Sequence, residues 1–142
     1  MNNNLKVEYY KGLLLSTTQK VTNGKSNIAK PILLLAIIEL VEQGHIIGNK
    51  IKYDEILKKQ YRSIFRRYAE IVTQIEYPYY YMRNDGFYSL KGVVDKKTPS
   101  NKYLLENIEY AYFDDCLWDL MQKADVRNEF KQSIIKHYLT RK

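Results

Sequence analysis

At 142 residues, 45% of them hydrophobic, the chain fits one domain that can bury a substantial core, and a single domain over 1–142 is expected. One cysteine, Cys116, excludes an intramolecular disulfide and any multi-cysteine metal site. It lies in an apolar run that predicts a buried, inert thiol, and the absence of a signal peptide or membrane span predicts a soluble, cytoplasmic protein with no membrane partner. The net charge of +7 is uneven: residues 1–104 hold 17 Lys and Arg against 9 Asp and Glu, and residues 105–142 hold 6 against 7, which suits a polyanion-binding face on the first part, with solubility charge as the bland alternative.

Leu5 to Ser16, with Leu5, Tyr9 and Leu13 at helical spacing, predicts a first helix. Thr18 to Asn27 reads as a polar loop carrying Gly24 and Lys25, solvated or laid along a phosphate backbone. Ile28 to Leu40 then reads as a helix that is apolar on nearly every side, the hub of the chain, ending at Gly44. Pro31 suits the first helical position and predicts an extended Lys30 at a helix N-terminus, where backbone N–H groups and the dipole favour an anion.

Ile46 to Tyr53 predicts a turn into a short strand, and Asp54 an N-cap. From Asp54 to about Ile75 an amphipathic helix is expected. Its inner face is Leu57, Tyr61, Ile64, Phe65, Tyr68, Ile71, Val72 and Ile75. On the other face Lys58, Lys59, Arg62 and Arg66 form a basic stripe beside Arg67. Solvated faces mix signs, so a single-sign face favours phosphate contact. Tyr77 to Leu90, rich in tyrosine and turning at Asn84-Asp85-Gly86, predicts a β-hairpin whose outer tyrosines suit sugars and bases. Ser100 is a candidate cap for a helix from Lys102 to Tyr112. Further helices over Asp114 to Lys123 and Asp125 to Leu139 close the chain.

This order predicts an α+β fold, mostly helical, with a winged-helix-like core, a β-hairpin and additional C-terminal helices. An enzyme is not expected. His45 and His137 lack the neighbours of a metal or nucleophilic site, Asp115 with Glu129 and Lys131 mimics a nuclease pattern only loosely because it lies in a helical period, and no Gly-rich phosphate loop occurs. No metal, cofactor or catalytic residue is therefore assigned.

Lys30-Pro31 leading into Ile-Leu-Leu-Leu, Tyr77-Pro78-Tyr79, Asn84 to Leu90, Tyr112-Phe113 to Leu117, and a terminal helix from Val126 to Tyr138 together resemble a known domain. It is the DNA-reading domain that precedes the HNH nuclease in McrA-like restriction endonucleases, in particular the sulfur-binding domains that recognise phosphorothioate DNA. The resemblance spans about residues 28–140 and does not include the nuclease motifs. It implies that Lys30 meets the modified phosphate and that Tyr77 and Pro78 wall the sulfur pocket. Ala29 stands where a histidine is frequent, and Tyr81 where a small side chain usually completes the cavity. Sulfur is larger and less hydrated than oxygen, so dry apolar contacts favour it. Cations at the rim, Lys30, Arg83 and Lys102, are expected to balance the charge, and Lys25, Lys59, Arg62 and Arg66 are expected to contact neighbouring phosphates of the duplex.

Two readings of other classes stand beside this one. A winged-helix regulator would read bases of unmodified DNA through residues 55–67 and dimerise through its C-terminal helices. An interaction domain without DNA would keep its partner when Arg62 and Arg66 are reversed to Glu.

Overall fold

The computed structural model describes residues 3–17, 21–22, 25–95 and 98–139, with backbone alone at 21–22 and 25–26. Helix α1 spans Asn3–Leu14, and strands β1 (Val21–Thr22) and β2 (Lys25–Ser26) form a small antiparallel pair before helix α2 (Ala29–Glu42). Gly24 and the other loop residues outside these ranges lie beyond the described set.

Helix α2 is the axis of the fold. Every residue of it except Lys30, Glu39 and Glu42 is buried, which an apolar surface on all sides requires. It ends where the sequence places the stop: Gly44 takes φ 79, its N–H donates to Val41 O, and His45 N–H donates to Leu40 O. The start differs from expectation. The helix begins at Ala29, so Lys30 is helical rather than extended and Pro31 stands third. The first four N–H groups of a helix have no partner within it, so a proline at any of them forfeits no bond. Asn27 Oδ1 takes the Ala29 N–H at 2.7 Å, and the first intrahelical bond runs from Ile32 N–H to Ile28 O.

Helix α3 (Glu55–Tyr68) packs along α2 through Leu57, Tyr61, Ile64 and Phe65, and Asp54 Oδ1 caps it by accepting from Leu57 N–H at 2.9 Å. It stops short of Ile75. Ala69 is extended, Tyr61 OH holds Thr73 O at 2.8 Å, and Asn27 Nδ2 holds Thr73 Oγ1 at 3.2 Å. These bonds fold residues 69–75 back toward the start of α2 and leave Ile71 86% exposed instead of inward-facing.

The segment expected to be the first arm of a hairpin is a helix, α4 (Glu76–Tyr81), followed by a 3-10 turn at Met82–Asp85. Pro78 is its third residue, repeating the placement of Pro31, and Pro78, Tyr79 and Tyr80 are all buried. Burial on several sides overrides the strand preference of the tyrosines. Gly86, at φ 91, turns the chain into β3 (Tyr88–Gly92). That strand pairs antiparallel with β4 (Ile108–Phe113), Tyr88 opposite Phe113 and Leu90 opposite Ala111. The expected wing over 77–90 therefore does not form. The two-stranded sheet is closed across helix α5 (Asn101–Asn107), capped by Ser100 Oγ as expected but ending five residues before Tyr112. Gly92 permits the closure, since a Cβ there would stand 2.0 Å from Asn107 O. The predicted short strand near Ile51 survives as one bridge, with Ile51 and Ala111 exchanging N–H to O bonds of 2.7 and 2.8 Å.

Helices α6 (Asp115–Met121) and α7 (Ala124–Ile134), continued by a π turn at Ile135–Leu139, close the core as expected. Tyr10 OH reaches Asp114 Oδ2 at 3.0 Å and Tyr138 OH reaches Leu14 O at 2.8 Å, tying α1 to this end. Cys116 is half-buried rather than enclosed. The class is α+β and mostly helical. Among the described residues no helix is long and apolar enough to cross a membrane.

Candidate nucleic-acid interface

The two proline-led helices meet at one end of the molecule. Helix α4 packs on α2, and Lys30 Nζ donates to Asp85 Oδ2 at 2.7 Å in the turn that follows α4. Both partners are enclosed: the Lys30 side chain is 12% exposed and that of Asp85 2%. Tyr77 is exposed at 39%, Pro78 is buried and Tyr81 is half-buried. Arg83 lies over the Tyr80 ring at 4.0 Å and over Tyr81 at 5.8 Å while donating to Tyr80 O at 3.0 Å, so its guanidinium is fixed beside α4.

A second charged surface runs along the outer face of α3. Lys59, Arg62 and Arg66 are exposed and form no ion pair among the described residues. Lys58, part of the stripe in the sequence, is drawn aside: it lies over Tyr53 at 4.3 Å, pairs with Glu55 at 3.7 Å and donates to Asn101 Oδ1 at 2.9 Å. Arg67 leans toward Glu39 at 3.9 Å.

The first turn of α5 lies between the two surfaces. Asn101 meets Lys58 of α3, and the Tyr103 ring meets Tyr80 of α4 edge-on at 6.0 Å. Lys102, between them, is exposed. Lys25 is on β2, and its side chain lies outside the described residues. The sequence missed Asp85 as the partner of Lys30. An acid in a turn carries no signal of a contact across 55 residues.

Beneath these surfaces lies a layer of neutral phenols. Burial pushes the hydroxyls of Tyr53, Tyr61, Tyr79 and Tyr88 well above their usual range, so each serves as a donor. Tyr79 OH donates to Ile51 O at 2.7 Å and Tyr88 OH donates to Tyr79 O at 2.5 Å, which locks α4 to the sheet. No group of three or more His, Cys, Asp or Glu side chains able to hold a metal occurs among the described residues. Glu129 binds Lys11 at 2.8 Å and Lys131 binds Glu42 at 2.9 Å, so this acidic pattern joins helices.

No family model matches the chain, and no curated protein matches it in sequence. The fold itself has a solved counterpart, a structure described as the sulfur binding domain of SprMcrA complexed with phosphorothioated DNA. It superposes with a TM-score of 0.74 over 99% of this chain and 90% of that one, at 13% sequence identity. The chain shares the fold of that domain.

Proposed function

We propose that this chain is a DNA-binding specificity domain of a modification-dependent HNH restriction system, acting in the cytoplasm on phosphorothioate-modified duplex DNA. One observation carries the reading: the 2.7 Å contact between Lys30 and Asp85 joins the Lys30-Pro31 helix mouth to the segment that follows Tyr77-Pro78. The Lys30 side chain thus reaches the turn that follows the Tyr77-Pro78 helix, and that helix packs on α2, which supports a shared site. The shared fold with a domain bound to phosphorothioated DNA supports the same reading.

In this account Tyr77, Pro78 and the edge of Tyr81 offer apolar contact to sulfur. Lys30 stands at the mouth, with Arg83 and Lys102 at the rim. A non-bridging oxygen entering such a place loses water that it needs, and sulfur loses less. Lys59, Arg62 and Arg66 meet neighbouring phosphates and add affinity without sequence information, with Lys25 assigned the same role. Recognition is the whole of the role proposed, with no catalytic residue, metal or cofactor.

The test is a titration of matched modified and unmodified duplexes at several salt concentrations. Tighter binding of the modified duplex, weakening with salt, is expected. Equal affinities remove the sulfur assignment, and no salt-dependent binding to either duplex removes DNA as the ligand. The uncommitted stripe on α3 also suits a dimeric regulator reading unmodified bases; sedimentation as a dimer with footprinting at a palindrome would favour that reading.

A further inference from the structure

We infer that Asp85 is a specificity-determining residue of this site, acting as an internal acceptor that keeps the Lys30 ammonium from rescuing an ordinary phosphate oxygen. The inference rests on the reading given under Proposed function and adds to it a residue that rejects the wrong ligand.

Enclosing an ammonium and a carboxylate strips water from both, and such a pair is seldom a gain in stability over apolar packing. Phosphate attraction needs no such enclosure on α3, where Lys59, Arg62 and Arg66 are exposed and form no ion pair among the described residues. An enclosed pair at the mouth of α2 therefore needs another reason. Its effect is to present a lysine without net charge.

The geometry makes the arrangement permanent. Asp85 ends the 3-10 turn, Gly86 holds a left-handed φ of 91, and Phe87 next to it is fully buried, so the backbone that carries the enclosed carboxylate is held in place. Lys30 is helical and its side chain is 12% exposed, which leaves its ammonium directed at Asp85. Lysine has a flexible stem and a compact, hard charge that prefers a hard oxygen to a soft sulfur. If the ammonium were released, it would turn to an unmodified phosphate and replace the water lost there. Held by Asp85, it leaves that oxygen desolvated without a strong donor, while the weakly hydrated sulfur pays little. Discrimination of this kind works by withholding a contact from the wrong ligand.

The experiment compares wild type, Asp85→Asn and Asp85→Glu by fluorescence anisotropy on matched duplexes with and without one phosphorothioate, with thermal unfolding as the control for folding. Asp85→Asn should tighten binding of the unmodified duplex by about tenfold or more, the low end for a close charge pair across an interface. Its salt slope should steepen by about 0.9, one further phosphate contact. The modified duplex should change less, so that the preference ratio falls. Asp85→Glu, which keeps the charge, should keep the ratio near that of wild type.

If wild type shows no preference for the modified duplex, the functional reading itself fails. If wild type shows the preference and folded Asp85→Asn keeps the same ratio, the role of Asp85 is overturned and the functional reading stands. A ratio lost equally in Asp85→Glu also overturns it, because charge is then not the cause. Should Asp85→Asn unfold, the double variant Lys30→Gln with Asp85→Asn decides, since it removes both enclosed charges together and has no ammonium to release. The ratio should then stay near that of wild type, and loss of the preference overturns the inference.

Discussion

Lys30 and Arg62 carry the same charge on helices that pack against each other, yet they have opposite surroundings. Lys30 is enclosed and bound to Asp85 at 2.7 Å, whereas Arg62 stands in solvent with no ion partner among the described residues. A cation of the first kind supports the fold as well as the site, and its loss is felt first as stability. One of the second kind is available to a ligand, and its loss is felt as affinity. Charge identity in the sequence does not separate the two; the partner does.

The largest effect tests the enclosed side. Lys30→Met takes the ammonium away from the enclosed Asp85 carboxylate, at a cost of roughly 3 kcal/mol, about 10 °C in a thermal melt of a chain this long. An unshifted melt would remove the pair from the fold's supports and collapse the contrast with α3. Adding Asp85→Leu to Lys30→Met should recover part of the loss, because the enclosed carboxylate that has lost its cation is then removed as well.

The next effect separates the inner phenols from the outer arginines by pH. Tyr53, Tyr61, Tyr79 and Tyr88 have folded pKa values raised above the unfolded value, and that of Tyr10 is pushed up to about 12, each chiefly by burial. A raised folded pKa means that the unfolded chain gives up its proton first. This stability is complete below about pH 10 and is lost as pH rises from there toward the folded values. Unfolding followed by circular dichroism should therefore stay flat in its midpoint up to about pH 9 and fall steeply above pH 10, by up to about 1.4 kcal/mol per pH unit for each phenol. Arginine keeps its charge across that range, so the Arg62 and Arg66 contacts should persist until the fold is lost.

The exposed side is tested by Arg62→Glu with Arg66→Glu. Stability should change by less than about 0.5 kcal/mol, as for surface positions without partners. DNA affinity should fall for modified and unmodified duplexes alike. The salt slope should lessen by about 1.8, two phosphate contacts at about 0.9 each. A drop confined to the modified duplex would place these arginines in the pocket and break the division between the two surfaces.

The parts legible in the sequence are those written in local chemistry. Asp54 and Ser100 cap the helices that follow them, Gly44 ends the hub, and Val126, Phe130 and Ile134 keep one helical period. The misplaced parts are the aromatic runs. Residues 77–81 and 108–113 satisfy both a strand and a helix pattern, and the choice is made by partners far along the chain: the α2 surface for Tyr79 and Tyr80, and β3 for β4. Among the residues proposed for the site, the exposed charge of Lys59, Arg62 and Arg66 was legible as one face of a helix. The division into bound and free cations was not, because Asp85, Tyr80 and Asn101 become neighbours of Lys30, Arg83 and Lys58 only when the chain folds.

Arg83 lies between the two kinds and gives the smallest effect and the finest test. Its guanidinium rests 4.0 Å over Tyr80 and bonds Tyr80 O, yet the residue is only half-buried, so part of it still faces outward. Arg83→Gln removes the ring contact and keeps a polar end, at a cost of about 0.5–1 kcal/mol of stability. If Arg83 also serves the rim, the same variant should weaken binding of both duplexes by a few-fold and lower the salt slope by about 0.9. Arg83→Lys decides between the roles, because lysine keeps the charge but loses the planar stacking. Normal affinity with reduced stability would assign the residue to both surfaces, the ring for the fold and the charge for the ligand. Reduced stability in both variants with affinity untouched in both would place Arg83 with Lys30 on the enclosed side.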